Sequence, residues 1–202
     1  KADIIDVEVD LSQGLHSFSI VGLPDKAVEE SKDRISAAIK NSGFVSPQKK
    51  NQRVTISLAP ADLKKEGPSF DLGIALSYLV ASKQIDFDPV GVMFLGELSL
   101  SGEVQKVRGV LPIALAARQL GVHTLFVPRE NAAEAALAPE ITVFGVGSLL
   151  ELIEHINTLN KEVIRTSILA QEKSILGQKD LGHVTDLSEI KGQETAKRAL
   201  LI

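Results

Sequence analysis

The stretch that most constrains the fold is residues 66–76, Glu-Gly-Pro-Ser-Phe-Asp-Leu-Gly-Ile-Ala-Leu, where a helix breaker is followed by a helix start. Gly67 and Pro68 interrupt regular structure, and Pro68 has no N–H to donate. Residues 53–58 before the break are rich in β-branched side chains, and the residues after it are apolar at helical spacing. The stretch therefore predicts a strand, a long loop and a buried helix over residues 69–83.

Ser69 stands at the predicted start of this helix, and its hydroxyl has two interpretations. It can be an N-cap, accepting a hydrogen bond from a free amide of the first turn. It can also be a nucleophile, because a helix N-terminus favours an alkoxide. The second interpretation needs a base within hydrogen-bond reach, which another part of the chain must supply.

Composition excludes several classes of protein. A chain of 202 residues with 44% hydrophobic content can form one sizeable domain, or one domain and a tail. The absence of cysteine excludes disulfides and thiolate metal sites, and the four histidines lie too far apart in sequence to suggest a metal site. The net charge of −4 argues against a globally basic nucleic-acid binder. No apolar run approaches the roughly 20 residues of a membrane span.

The first half of the chain is predicted to contain hairpins. Residues 4–10 alternate apolar and charged side chains as a half-buried strand does, and a turn at residues 12–15 leads to a second strand at 17–22. We predict that these two strands pair as a hairpin. A helix over residues 26–41 follows, with Asp25 as its N-cap.

The second half alternates strands and helices. Residues 90–104 predict a long strand, a turn at Ser101-Gly102 and a short return strand. Glu97 lies inside this apolar run, so its carboxylate marks either a functional site or a structural pair. The remaining predicted elements are helices at 110–120, 130–137 and 148–156 and strands at 124–127 and 141–146. Together these elements predict an α+β fold, with mixed α/β layers and a sheet that is not purely parallel.

The character of the chain changes after residue 157. Residues 158–185 are mostly polar without a sustained period, which predicts a linker between residues 1–157 and residues 186–202. A helix is predicted from about Gly192, and it still continues at Ile202. We therefore expect a piece of a longer protein; the alternative is a C-terminal helix that docks back onto the domain.

Residues 44–53 form a polar loop with three basic side chains, Lys49, Lys50 and Arg53. The loop is either simply solvated or a patch that contacts nucleic-acid phosphates. No aromatic residue is interleaved with the basic ones, so the loop offers no stacking platform for bases. Lys64 and Lys65, beyond the following strand, can extend the patch.

Several motifs together point to one family. They are Val7-Glu-Val-Asp10 with Gly14-Leu15, Phe18-Ser-Ile-Val-Gly-Leu-Pro-Asp25, Arg53-Val-Thr-Ile-Ser-Leu-Ala-Pro60, and Phe70-Asp-Leu72 with Ile74-Ala-Leu76. With these motifs, residues 1–157 resemble the N-terminal domain of the Mg-chelatase-like AAA+ ATPase family (YifB/ComM type). That domain is similar to the Lon protease domain, whose fold is shared with a ribosomal small-subunit protein.

The resemblance extends to the end of the sequence. Residues 186–202 resemble the opening of an AAA+ module, where an Ile/Val-x-Gly-Gln element lies near the adenine. Here the matching residues are Ile190, Gly192 and Gln193. The resemblance thus implies an adenine contact in the parent protein, which would bind ATP and Mg. No Gly-rich loop ending in Gly-Lys-Ser/Thr occurs in these 202 residues, so we expect no cofactor here.

The similarity to Lon implies a test of Ser69. Lon-type peptidases place their serine in a Gly-Pro-Ser turn, which residues 67–69 match, and take their base from a lysine in a later helix. One alignment places Leu111 at the position of that lysine, and the other places Ala117 there. Three nearby lysines do not match the motif: Lys64, Lys65 and Lys106. A hydroxyl without a base is a poor nucleophile, so the resemblance predicts a Lon-like fold without the dyad, and Ser69 as a cap.

Two functions from different classes remain open. The first is a non-catalytic accessory domain of a cytoplasmic AAA+ motor. The family implies partners in its own AAA+ module and in a homo-oligomeric ring, and a role in DNA processing such as branch migration during natural transformation. The second is a degenerate or unusual Lon-type serine peptidase with a displaced lysine. A third, metal insertion, has no ligand cluster to support it.

Overall fold

The computed structural model describes residues 3–157 and 168–174. Five α-helices and eight strands in three small sheets form this part of the chain, which confirms the α+β prediction. The three positions assigned to the adenine contact, Ile190, Gly192 and Gln193, lie outside the described residues.

Strand β3 (Gln52–Ala59) is the centre of the first sheet. Strand β1 (Asp6–Gln13) pairs with it antiparallel, and strand β2 (Ser17–Val21) pairs with it parallel. The predicted hairpin between β1 and β2 is therefore wrong, because β3 lies between them. Helix α1 (Lys26–Asn41) supplies the long crossover that the parallel β2–β3 pair requires.

The first sheet has one buried and one solvated face. Val54, Ile56 and Leu58 of β3 are fully buried, whereas the residues between them are partly exposed. This alternation is the period-2 pattern of a half-buried strand. The buried face packs on α1 and on helix α2 (Asp71–Ala81), whose apolar side chains are almost all inaccessible to solvent.

The second sheet consists of three parallel strands, β4 (Val92–Phe94), β7 (Thr124–Pro128) and β8 (Thr142–Val146), in the order β4-β7-β8. The aromatic rings of Phe94, Phe126 and Phe144 stack across the three strands, with centroid separations of 5.2 and 5.0 Å. Strands β5 (Glu97–Leu98) and β6 (Val104–Gln105) form a separate antiparallel pair.

The long strand predicted at residues 90–104 is broken at Gly96, where β4 and β5 separate. The Gly96 backbone leaves the sheet: its N–H donates to the Ser69 carbonyl at 3.0 Å, and its carbonyl accepts from Leu72 N–H at 3.1 Å. A Cβ at this position would lie 2.6 Å from Val104 Cγ1. The apolar run therefore does not form one strand, because its centre is used to hold the start of α2.

Helices α3 (Val110–Gln119), α4 (Ala132–Ala135) and α5 (Leu149–Ile156) lie in the second half, as predicted. A second apolar cluster joins α3 and α4 to the strands β7 and β8. Residues 168–174, within the predicted linker, run beside β8 and form an antiparallel bridge between Phe144 and Ala170.

Candidate functional site

Ser69 lines a cavity of about 380 Å³ between the loop before α2, strand β5 and the loop after β6. The cavity carries charges of both signs. Glu66 and Glu97 contribute carboxylates, and Lys106 and Arg108 contribute cations. Glu97, which interrupts an apolar run in the sequence, is thus half-buried in a polar wall.

The loop before Ser69 is fixed by a single carboxylate. Asp25 Oδ1 accepts from Val28 N–H at 2.8 Å, which confirms the predicted N-cap of α1, and its Oδ2 accepts from Gly67 N–H at 3.0 Å. Burial opposes ionisation of Asp25, but hydrogen bonds from Val28, Gly67 and Ala27 outweigh it and lower its pKa. The start of α1 and the Gly-Pro-Ser turn therefore share one anchor.

The structure contradicts the prediction that Ser69 caps α2. Residues 68–70 form a 3-10 turn, Phe70 occupies the N-cap position, and no side chain caps the helix. Pro68 favours the first position of such a turn, because its ring fixes φ and its missing N–H would be unpaired there. The helix begins two residues later than expected, and Ser69 lines the cavity instead of occupying the N-cap position.

Neither position for the Lon-type lysine faces this cavity. Leu111 packs against the second apolar cluster, and its N–H donates to Glu134 Oε1 at 3.2 Å. Ala117 is buried within the same cluster. The lysine that does line the cavity beside Ser69 is Lys106.

Lys65 is buried, which contradicts its assignment to an exposed basic patch. Its Nζ donates to the carbonyls of Pro60 and Leu63, and the latter distance is 2.7 Å. Its backbone also pairs with the backbones of Leu23 and Asp25. The Lys65 amine therefore holds the loop of residues 60–65 together, and it is not available to act as a base or to contact phosphates. Lys64, by contrast, is exposed and pairs with Glu66 at 2.7 Å.

The sequence did not single out Asn131, which positions the basic wall of the cavity. The Asn131 side chain is fully buried; its Oδ1 accepts from Val107 N–H and its Nδ2 donates to Val107 C=O, both at 3.0 Å. This amide therefore fixes the residue between Lys106 and Arg108. The sequence signal for this role is that Asn131 is a polar residue directly before an alanine-rich helix.

Asp71 belongs to one of the family motifs, and in the structure its buried carboxyl links three elements. Arg34 donates to it twice, from Nε at 2.9 Å and Nη2 at 3.2 Å, and Leu98 N–H donates at 3.2 Å. Burial raises the pKa of Asp71 to about 6, although these donors oppose the shift. The carboxyl thus joins α1, α2 and β5 around the cavity.

A smaller apolar cavity of about 140 Å³ lies on the other side of Ser69. Ile4, Phe70, Met93 and Ile113 contribute to its wall. Ser69 therefore lies between a charged cavity and an apolar one.

The predicted nucleic-acid residues lie at one end of β3. Lys49 ends a 3-10 turn at residues 47–49, Lys50 follows it, and Arg53 is near the start of the strand. All three side chains are exposed. Lys64 and Lys65 follow the opposite end of β3, and only Lys64 is accessible there. The patch is thus confined to Lys49, Lys50 and Arg53, and DNA contact stays a prediction.

Within residues 3–157 and 168–174 there is no cluster of three or more potential metal ligands. The same residues include no helix with the length and apolar character needed to cross a membrane.

The fold and the site define an α+β domain in which a Gly-Pro-Ser turn precedes a buried helix and faces a cavity of mixed charge. The family model for subunit ChlI of Mg-chelatase matches residues 7–131. The chain belongs to the Mg-chelatase-like AAA+ family.

Relatives include competence protein ComM of Haemophilus influenzae, 39% identical over 203 residues, and YifB of Escherichia coli, 38% identical over 204 residues. Both matches cover 100% of this chain but 38% of the relative, so the chain spans well under half of these proteins. A Lon protease of Aster yellows witches'-broom phytoplasma is 29% identical over 142 residues, 68% of this chain and 18% of that protein.

Proposed function

We propose that residues 1–157 are a non-catalytic accessory domain of an AAA+ ATPase that acts in DNA processing, such as branch migration during natural transformation. Membership of the Mg-chelatase-like family supports the ATPase, and the similarity to ComM supports the link to competence. The sequence contains no Gly-Lys-Ser/Thr phosphate loop, so ATP and Mg would be bound by another part of a cytoplasmic, ring-forming protein.

The non-catalytic role rests on which side chains occupy the position of the Lon-type lysine. Leu111 and Ala117, the two residues that alignment places there, pack in an apolar cluster and do not line the charged cavity beside Ser69. A serine hydroxyl needs an adjacent base to react at neutral pH, and members of such a pair act as a unit. Ser69 therefore lacks the partner that Lon-type hydrolysis requires.

A second candidate function is a peptidase that uses Lys106 in place of the missing lysine. The favouring observation is that Lys106 and Ser69 line the same cavity. Opposing it, Lys106 is exposed, whereas a lysine that acts as a base is commonly activated by desolvation in an apolar pocket.

Casein digestion separates the two functions. The wild-type chain, Ser69→Ala and Lys106→Ala would be incubated with unfolded casein, with Lys64→Ala as the control for an exposed lysine beside the cavity. We expect no cleavage above that of Ser69→Ala. Cleavage by wild type and Lys64→Ala that disappears in both Ser69→Ala and Lys106→Ala would replace the accessory role with the peptidase.

The DNA contact proposed for this domain is the patch of Lys49, Lys50 and Arg53. All three are exposed at one end of β3, a strand of eight residues that extends roughly 26 Å at about 3.3 Å per residue. With three cations, the logarithm of the binding constant should fall with the logarithm of salt concentration at a slope of about −3. Binding should be weak and independent of sequence, because phosphate contacts carry no base information.

Fluorescence anisotropy at low salt tests this patch with duplex and forked DNA. Lys49→Glu/Lys50→Glu should abolish binding. Lys26→Glu/Lys83→Glu, which changes the net charge equally at other exposed lysines, should bind better than the patch variant. Equal binding by the wild type and the patch variant would show that the loop is only solvated.

A further inference from the structure

Residues 168–174, which we call the strap, run along the free edge of β8 and are joined to it by one isolated β-bridge. Phe144 and Ala170 face each other in an antiparallel bridge, and Gln171 N–H donates to the Val143 carbonyl at 2.7 Å. Further along, Ser174 N–H donates to the Ala136 carbonyl at 3.3 Å. The strap thus covers polar backbone groups that an edge strand would otherwise expose.

The strap is held by one buried side chain. Ile168 is 9% exposed and belongs to the main apolar cluster, and its N–H donates to His155 Nδ1 at 3.2 Å. Leu169 is 83% exposed, and residues 170–173 are exposed as well. Ordering seven residues costs conformational entropy that a single apolar anchor and a few backbone hydrogen bonds offset only in part. The strap is therefore among the segments that can detach without unfolding the domain.

The connection to the strap is long compared with the gap that it bridges. His155 at the end of α5 contacts Ile168 directly, yet ten residues, 158–167, separate Asn157 from Ile168. Ten residues can span up to about 35 Å when extended. A connection of this length allows a strap to reach the β8 edge of an adjacent copy as well as its own.

We propose that the β8 edge is a docking site for the strap of a second copy of this chain, so that adjacent copies exchange straps. The segment that docks is the strap of the second copy. It supplies the aliphatic side chain of Ile168 to the apolar cluster and places Ala170 opposite Phe144. All the contacts made within one chain can form between two, as in other exchanged elements. The contact joins different surfaces of the two copies, so it can close into a ring. The inference does not depend on the proposed DNA or accessory role.

Engineered disulfides test the exchange without interference, because the 202-residue chain has no cysteine. Continuing the Phe144–Ala170 register by two residues places Thr142 opposite Glu172, and both side chains are exposed. Cross-strand neighbours in a non-hydrogen-bonded antiparallel pair are close enough for a disulfide. At high dilution, where exchange is suppressed, Thr142→Cys/Glu172→Cys in one chain should therefore close into a monomer under mild oxidation, which establishes the register.

The decisive experiment mixes the single variants Thr142→Cys and Glu172→Cys in equal amounts across a hundredfold concentration range. Exchange predicts a covalent dimer whose yield rises with concentration and falls at least tenfold when Ile168→Asp is added to the Glu172→Cys chain. A mixture of Lys50→Cys with Glu172→Cys measures random collisions, because Lys50 is exposed in the loop before β3 and is not part of the β8 edge.

Three results would overturn the proposal. The first is a mixed pair that forms no more dimer than the collision control at any concentration. The second is a double variant that forms neither a closed monomer nor a covalent dimer, because the register on which the cysteines were placed would then be wrong. The third uses a synthetic peptide of residues 166–174 with cysteine at position 172. If this peptide links to Thr142→Cys while the whole chains do not link to each other, the site takes free peptides but not a second copy.

Discussion

Lys64 and Lys65 are adjacent in sequence and have opposite environments. Lys64 is exposed and pairs with an exposed glutamate, whereas Lys65 is 1% exposed and its amine holds two loop carbonyls. Lys65→Met should destabilise the domain by about 2 kcal/mol, because two loop carbonyls lose the charged donor that the buried lysine supplies. Lys64→Met should leave the free energy of unfolding nearly unchanged, because an exposed ion pair contributes little. Denaturant unfolding of the two variants measures the difference; equal effects would contradict the buried role of Lys65.

Asp71 makes a pH-dependent contribution to stability. Burial raises its pKa from 3.8 to about 6, so between these values the folded state keeps a proton that the unfolded state has lost. The stabilising contribution of this group is therefore complete below pH 4, falls as the pH rises to 6, and is constant above. A shift of this size corresponds to about 3 kcal/mol at most.

Asp71→Asn isolates this titration. The stability of the wild type relative to the variant should decrease between pH 4 and pH 7, as measured by urea unfolding at each pH. Glu66→Gln, which removes an exposed ion pair, is the control and should show a much smaller change. A wild-type advantage over Asp71→Asn that increases between pH 4 and pH 7 would mean that Arg34 lowers the pKa of Asp71.

At the scale of single residues, local signals were sufficient only where the partner is near in sequence. The Asp25 cap was predicted because its acceptor geometry depends on the next three residues. The Arg34–Asp71 pair joins separate elements, and the backbone of Lys65 pairs with Leu23 and Asp25, which are distant in sequence. No local pattern distinguishes Lys65 from Lys64.

At the scale of elements, the helices followed their local signals more closely than the strands. Helix α1 has the predicted bounds, and Ser148 caps α5 by accepting from Glu151 N–H at 3.1 Å. The β1–β2 hairpin was wrong because pairing with β3 is a long-range choice that a nearby turn does not decide. Gly96 broke the predicted strand through its bonds to α2, which are also distant in sequence.

Two serines at helix starts provide a matched pair of substitutions. Ser148→Ala should destabilise the domain by about 1 kcal/mol, because it removes a capping hydrogen bond. Ser69→Ala should cost less than about 0.5 kcal/mol, because no side chain caps α2. Thermal unfolding of both variants compares these costs. A larger loss for Ser69→Ala than for Ser148→Ala would show that Ser69 supports its helix after all.

At the scale of the whole molecule, helix α2 links the two sheets. The main apolar cluster includes Ile56 of the first sheet, Leu72 of α2 and Phe126 of the second sheet. The break, loop and buried helix at residues 66–76 therefore bring together the parts of the domain, and place Ser69 where they meet. The α+β class was predictable from the order of elements, whereas the cavity was not, because β5 and the loop after β6 come from later in the chain.

We predict that the serine of the Gly-Pro-Ser turn is not activated as a nucleophile in this domain. A fluorophosphonate tests it directly, since the reagent bonds covalently to nucleophilic serines and the site is mapped by mass spectrometry. The 202-residue chain should show no adduct at Ser69 under conditions that label an active serine hydrolase completely. An adduct at Ser69 that disappears in Lys106→Ala but persists in Lys64→Ala would contradict the claim and identify Lys106 as the base.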